Sequence, residues 1–257
     1  MEHLYPTIGE GIWTVNLTII GMSVLCAAAV FILARVAAAG VNLRNPKGLA
    51  NFFEWIIDFV GGLAKDMVGT KYAQTYVPLA FTLILYLFIS NQLGLITNIV
   101  YEIDQPSLGV AAASFAEGAH EGKASVAFFM SPTANLMVTM GLSIAMVGLS
   151  HIIGLRNPKS YFKHYFEPNP AFFILHLIDE LAKFATLGLR LFGNIFAGEV
   201  MIAVILTMPT LFGVPVSSIP LIVWLAYSLF VGTIQAFVFT VLTLVYIGQK
   251  LPHDEAH

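Results

Sequence analysis

The chain has 257 residues and a formal net charge of −3, with 58% hydrophobic and 11% charged residues. Soluble domains run at about 45–50% apolar and ~25% charged, so this sequence lacks the charge to clothe a domain of its size in water, and its mean hydropathy of +0.81 agrees. The acidic balance excludes the basic footprint of a nucleic-acid binder. The single cysteine, Cys26, excludes a disulfide framework, a Cys-based zinc site or an iron–sulfur motif.

A membrane helix needs about 20 mostly apolar residues, and charge-free windows locate them. Met1–Pro6 carries no Lys or Arg ahead of the first such window. A cleaved signal peptide is therefore not expected, and the mature chain is expected to start near Met1. The first span is placed at residues 12–36, ended by Arg35. The second lies at 73–100 and the third at 130–155. The fourth, 170–208, is apolar in bulk yet holds Asp179, Glu180, Lys183, Arg190 and Glu199. Pro209, Gly213, Pro215 and Pro220 separate it from a fifth at 217–250.

Residues 46–69 read differently. Lys47, Asn51, Glu54, Asp58, Gly61 and Lys65 form one polar stripe at helical spacing, and Leu49, Phe52, Phe53, Ile56, Val60, Leu63 and Met67 fill the other side. Such a helix suits the membrane surface; the alternative is a water-facing helix packed on a partner. The expected fold is thus an all-α polytopic membrane protein, one membrane domain over 1–257, with five transmembrane helices and one interfacial amphipathic helix.

Orientation follows from the basic residues. Nine of the twelve (Arg35, Arg44, Lys47, Lys65, Lys71, Arg156, Lys159, Lys163 and Lys250) fall on one side if the spans alternate. The other side receives the N-terminus, the 102–123 loop and the Pro209–Pro220 turn, with only Lys123 basic. The N-terminus is therefore expected outside and the C-terminus in the cytoplasm. The pentapeptide Leu43-Arg44-Asn45-Pro46-Lys47 recurs as Leu155-Arg156-Asn157-Pro158-Lys159. It reads as punctuation: Asn-Pro stops a helix and the cations anchor it at the headgroups.

Arg190 is the residue that needs a reason. A charge at the bilayer centre costs roughly 2.5–3.5 kcal/mol on insertion scales, and a guanidinium cannot shed its proton. Asn194 lies one turn on and Lys183 two turns back on the same face. Glu199 lies about 13 Å toward one membrane surface and Asp179 and Glu180 a similar distance toward the other. Gln235, central in the last span, is placed to hydrogen-bond Arg190 or to make a structural interhelical bond. Acids approach the cation from both faces and stop short of it. A cation between two ion paths blocks direct passage. Such a device needs a moving carboxylate that passes Arg190, and this chain supplies none.

Leu187-Gly188-Leu189-Arg190-Leu191-Phe192-Gly193-Asn194-Ile195-Phe196-Ala197-Gly198-Glu199 resembles the signature of subunit a of the F-type ATP synthase. Gly232-Thr233-Ile234-Gln235-Ala236-Phe237-Val238-Phe239, with Leu242-Thr243 and Tyr246, is similar to its last helix. Ser131-Pro132-Thr133-Ala134-Asn135 and Asn91-Gln92-Leu93-Gly94 resemble segments near its outer hairpin. The resemblance implies a non-catalytic stator subunit of the bacterial plasma membrane, set beside a ring of c subunits and the subunit b stalk within F1Fo. It implies that Arg190 faces the ring carboxylates and that Asn194, Glu199 and Gln235 serve the outer half-channel and central contact. It also implies that Asp179, Glu180 and Lys183 lie on the cytoplasmic half-channel, and that the last two helices are steeply tilted. Asn135 stands where many members have Asp, and Ser228 where many have His or an acid. The outer path is therefore expected to lean on Glu199, with Asn135, Glu102 and Asp104 toward its mouth. No cofactor or metal is expected.

A self-contained ion channel or secondary transporter would want paired repeats, and none is present in the sequence. A haem or quinone subunit would want paired axial histidines inside one bundle. Here His151 and His176 both sit near span ends. No phosphate-cradling glycine loop is present, so ATP chemistry does not reside here.

Overall fold

The computed structural model describes residues 5–8, 15–39, 48–96, 99–103, 124–156, 158, 161, 172–211, 214–215 and 217–251. Six α-helices lie among them: α1 (Leu17–Ala39), α2 (Leu49–Val68), α3 (Thr70–Ile96), α4 (Leu136–Gly154), α5 (Phe172–Leu206) and α6 (Ser218–Lys250). All except α2 are long and apolar enough to cross a membrane.

Three short antiparallel hairpins add to the all-α expectation: β1 (Thr7–Ile8) with β2 (Val15–Asn16), β3 (Ile99–Ile103) with β4 (Ala124–Phe129), and β5 (Thr210–Leu211) with β6 (Val214–Pro215). They correct several boundaries. The first span begins at Leu17 rather than 12 and runs to Ala39. The second ends at Ile96 rather than 100, because Ile99 starts a strand. The third begins at Leu136 rather than 130, because Asn135 caps it and Ala124–Phe129 is extended. A short apolar run fits a strand as readily as a helix, so periodicity alone could not place these ends. The first pentapeptide copy, 43–47, lies outside the described residues, as do Asn157 and Lys159 of the second.

Helix α2 ends at Gly69, whose φ of 79° reverses the chain while its N–H still reaches the Lys65 carbonyl (3.1 Å). L side chains resist that backbone region. The turn folds α2 onto α3, and Val60, Ala64 and Val68 pack with Ala73, Tyr76 and Ala80 of α3, Ile153 of α4, and Leu244 and Ile247 of α6. Asn51, Glu54, Asp58 and Lys65 stay exposed, and so do Phe52, Trp55 and Phe59. One side buried, one aromatic and one charged is the division a helix at a lipid–water boundary requires.

A second apolar cluster joins Leu83 and Leu87 of α3, Val147 of α4, Leu187 and Leu191 of α5, and Ala236 and Phe239 of α6. It forms the middle of a four-helix core. Helix α1 is peripheral: Met22, Cys26 and Val30 face inward at four-residue steps, while Phe31 and Ile32 are 66% and 58% exposed. Large apolar groups left open in this way face acyl chains. Helices α5 and α6, with 35 and 33 residues, measure about 50 Å at 1.5 Å per residue. That exceeds the ~30 Å hydrocarbon layer, so they must tilt or project beyond it.

Candidate functional site: a polar seam between the last two helices

Arg190 lies near the midpoint of α5 on an exposed face. No described residue forms an ion pair or hydrogen bond with it. The contact expected from Gln235 goes to its neighbour instead: Asn194 Nδ2 donates to Gln235 Oε1 at 2.7 Å. The amide pair lies one turn beyond Arg190 and ties α5 to α6, leaving the guanidinium turned out of the bundle. A helix advances about 100° per residue, so Asp179, Lys183 and Asn194 share the Arg190 face. Glu199, nine residues on, comes out half a turn away, and it is 9% exposed.

Glu199 sits behind α5, in a seat made by two other elements. A methyl group on Gly94 of α3 would lie 2.7 Å from Glu199 Oε1 and collide with Ser131 Cβ. Only glycine lets the carboxyl approach α3 this closely. Glu199 Oε1 has no hydrogen-bond partner among the described residues. Ser131 itself is fixed: its Oγ donates to the Ser90 carbonyl (2.7 Å) and accepts from the Thr133 amide (3.3 Å). Thr133 Oγ1 donates to Asn91 Oδ1 (2.8 Å), and Asn91 Nδ2 to the Gly232 carbonyl (2.9 Å). Gln92 Nε2 reaches the Leu229 carbonyl at 3.1 Å. The Asn91-Gln92 and Ser131–Thr133 segments thus clamp α3 and the α4 entrance to α6.

A cavity of about 120 Å³ lies between α5 and α6, with Asn194 at its wall and Glu199 outside its lining. Asn194, Gly198, Trp224, Ser228 and Gly232 are among its walls. Buried Ser228 Oγ, on that wall, and Gln235 Nε2, beside Asn194, have no hydrogen-bond partner among the described residues. A cavity this size with unsatisfied polar atoms has room and partners for water. Trp224 Nε1 closes one wall by donating to the Gly198 carbonyl (3.1 Å).

The opposite end of α5 carries a second polar group. Glu180 Oε1 meets Lys250 Nζ at 2.5 Å and Lys183 Nζ at 3.3 Å, and Oε2 meets His151 Nε2 at 3.3 Å. Lys183 also pairs with Asp179 (3.0 Å) and Gln249 Oε1 (3.1 Å). His151 Nδ1 shares a hydrogen bond with Tyr161 Oη (2.8 Å). Three helices converge on one carboxylate, and the exposed Asp179 marks the open side.

The expected mouth residues fare differently. Asn135 Oδ1 accepts from the Met137 and Val138 amides (2.9 and 3.3 Å), so it caps α4. An Asp there would do the same. Glu102 belongs to β3 by its backbone, and Asp104 lies outside the described residues. Tyr5, Gly94, Ser131, His151 and Lys250 escaped the sequence reading as site residues. Tyr5 Oη donates to Met130 Sδ (3.3 Å). Burial first, and the nearby Glu199 carboxylate second, push its hydroxyl above the ordinary tyrosine range.

Five apolar spans around a polar seam with a mid-span cation define a multi-pass membrane protein that manages charge within the bilayer. Comparison with known proteins is specific. The sequence profile of the ATP synthase A chain matches residues 17–248. ATP synthase subunit a of Anoxybacillus flavithermus is 37% identical over 258 residues, covering 99% of this chain and 100% of the relative. Those of Bacillus velezensis and Listeria monocytogenes are each 35% identical over 266 and 262 residues, with the same coverage. The chain belongs to the ATP synthase A chain family. It is accordingly a non-catalytic, multi-pass Fo subunit of a bacterial membrane, working within F1Fo. The readings as a free-standing transporter or a redox subunit are set aside.

Proposed function

We propose that this chain forms the stator half of a proton path, with two half-channels on either side of Arg190 that open toward a c-ring. The observation that carries the reading is the exposed Arg190 in the middle of α5, unpaired among the described residues. A guanidinium in a bilayer needs a counter-charge, and a ring carboxylate arriving from outside the chain supplies one. The Asn194–Gln235 bond holds that face of α5 in register.

The outer half-channel runs from Glu199 through the α5–α6 cavity past Ser228 to the amide pair. It must pass around the helix because Glu199 is half a turn from Arg190. The cytoplasmic half-channel opens at Asp179, with Lys183 and Glu180 behind it. A proton reaching a ring carboxylate from the outer side neutralises it, so it can enter lipid; beside Arg190 or the cytoplasmic path the carboxylate ionises again. Each proton moving down 100 mV releases about 2.3 kcal/mol, which turns the ring. Lys183 tunes release on the cytoplasmic side. The N-terminus faces outward, the C-terminus and α2 lie at the cytoplasmic surface with the subunit b stalk, and 1–257 act as one membrane domain.

Sidedness tests the reading. In F1-depleted vesicles, Glu199→Gln is expected to reduce passive proton conduction whichever way the gradient points, with the complex still assembled. Conduction equal to wild type would remove Glu199 from the path.

A further inference from the structure

His151 has no role in the path just described, yet the fold sets it against Glu180. It stands on the last turn of α4, half-buried, with Nε2 3.3 Å from Glu180 Oε2. Tyr161 holds the ring from the other side. Its Oη shares a 2.8 Å hydrogen bond with Nδ1, and the two rings meet edge to face with centroids 6.1 Å apart. Glycine at 154 makes room for this, since a methyl group there would meet the Tyr161 ring at 2.7 Å. Held at both nitrogens, the imidazole keeps Nε2 toward the carboxylate. A neutral imidazole presents Nε2–H to Glu180 and accepts from the Tyr161 hydroxyl; an imidazolium donates from both nitrogens, and the hydroxyl turns to accept.

The charges around this ring balance. Asp179 and Glu180 of α5 meet Lys183 of α5 and Lys250 of α6, two carboxylates against two ammonium groups. Protonating His151 tips the group to a net positive charge. Tyr161, Tyr76 of α3 and Tyr246 of α6 are the phenols at this end, and Arg156 follows α4. Lys65 and Asp66 of α2 and Lys71 of α3 are exposed. Phenols, guanidinium groups, lysines and carboxylates ordinarily keep one charge state between about pH 5 and 8, whereas imidazole changes. His176, one turn before Glu180 on α5, is a second imidazole at this end.

We propose that His151, oriented by Tyr161, is a positioning residue of the cytoplasmic exit that slows proton release as the cytoplasm acidifies. The inference rests on the reading of Glu180 as part of that exit. A cation formed beside the carboxylate holds it in place and opposes a proton arriving from the ring, because like charges repel strongly where water is scarce. With the imidazole neutral, the two lysines alone hold Glu180 and the exit is open. His151 acts through Glu180 and carries no proton in transit.

The test reads proton conduction against cytoplasmic-side pH. In F1-depleted inverted vesicles the bath sets that pH, and a potassium diffusion potential is adjusted so that the total force driving protons from lumen to bath stays constant. Wild-type conduction should fall severalfold between about pH 8 and about pH 5.5, either side of the ~6.5 at which imidazole titrates. His151→Gln cannot charge; it should match wild type at the alkaline end and show no fall. His151→Lys carries a fixed cation and should conduct at the acid level throughout. His176→Gln should keep the wild-type fall. No fall in wild type, a fall retained in His151→Gln, a fall lost in His176→Gln, or a wild-type profile in His151→Lys would each overturn the inference. If His151→Gln does not assemble, His151→Asn gives the same comparison with the same outcomes. Glu180→Gln separates the two ideas. Undiminished conduction by that variant removes Glu180 from the exit, whereas reduced conduction with a fall retained in His151→Gln leaves the exit without this control.

Discussion

Asn194 and Gln235 meet across the α5–α6 contact at 2.7 Å, and each is the other's only side-chain hydrogen bond among the described residues. The bond stands one turn from Arg190, so it fixes how the guanidinium faces outward. Deleting one partner strands the other. Asn194→Leu and Gln235→Leu should each reduce ATP-driven pumping several-fold at matched subunit levels. The double variant should lose little more than either single change, because the pair acts as one unit. A net worth of about 1 kcal/mol is typical of such a bond. Fully multiplicative losses would separate the two roles.

Gly94 permits the Glu199 seat, and Gly94→Ala tests it. The added methyl meets Ser131 and the carboxyl, and overpacking of this kind costs typically ~1–3 kcal/mol. Lower thermal stability of the detergent-solubilised complex together with lost conduction is expected. Unchanged conduction would mean that Glu199 can move without consequence.

Ser228 lines the α5–α6 cavity beside Asn194, which the proposed outer path would use. Ser228→Ala keeps the space for water and should conduct nearly as wild type. Ser228→Leu fills the space with apolar volume and should abolish conduction. Equal conduction by the two variants would place the path elsewhere.

Lys183 bridges Asp179, Glu180 and Gln249. Lys183→Ala should alter the cytoplasmic-pH profile of ATP synthesis while Glu180 remains held by Lys250. An unchanged profile would remove Lys183 from proton release.

Much of this was legible in the sequence, for physical reasons. Lipid demands long apolar windows: four spans appeared as charge-free ones, and the fourth stayed apolar in bulk around its five charged residues. The polar stripe of Asn51, Glu54, Asp58 and Lys65 marked α2, and these side chains are exposed. Arg190 stood out because a permanent cation in a span has no bland explanation. Helix phase also held the position of Glu199: nine residues is two and a half turns, which sets it behind Arg190. What the sequence concealed were contacts across long separations. Glu180 meets Lys250 seventy residues away, and no spacing rule links them; the sole hint was a lysine closing the last span. Gly94 and Ser131 carry no charge to attract notice, although they shape the seat of Glu199. Tyr5 precedes the first span, in a segment that no apolar window covers. Asn135 invited a path role by analogy with Asp; its capping of α4 was a second role that the sequence reading did not name.

The central claim is that Arg190 separates two half-channels. Its most direct test compares wild type and Arg190→Ala in inverted vesicles, at matched subunit levels, by ATP-driven proton pumping and passive leak. Pumping should vanish with the complex still assembled, and the leak should rise because the cation no longer divides the paths. Retained pumping would make Arg190 structural and would place the ion path elsewhere in the subunit.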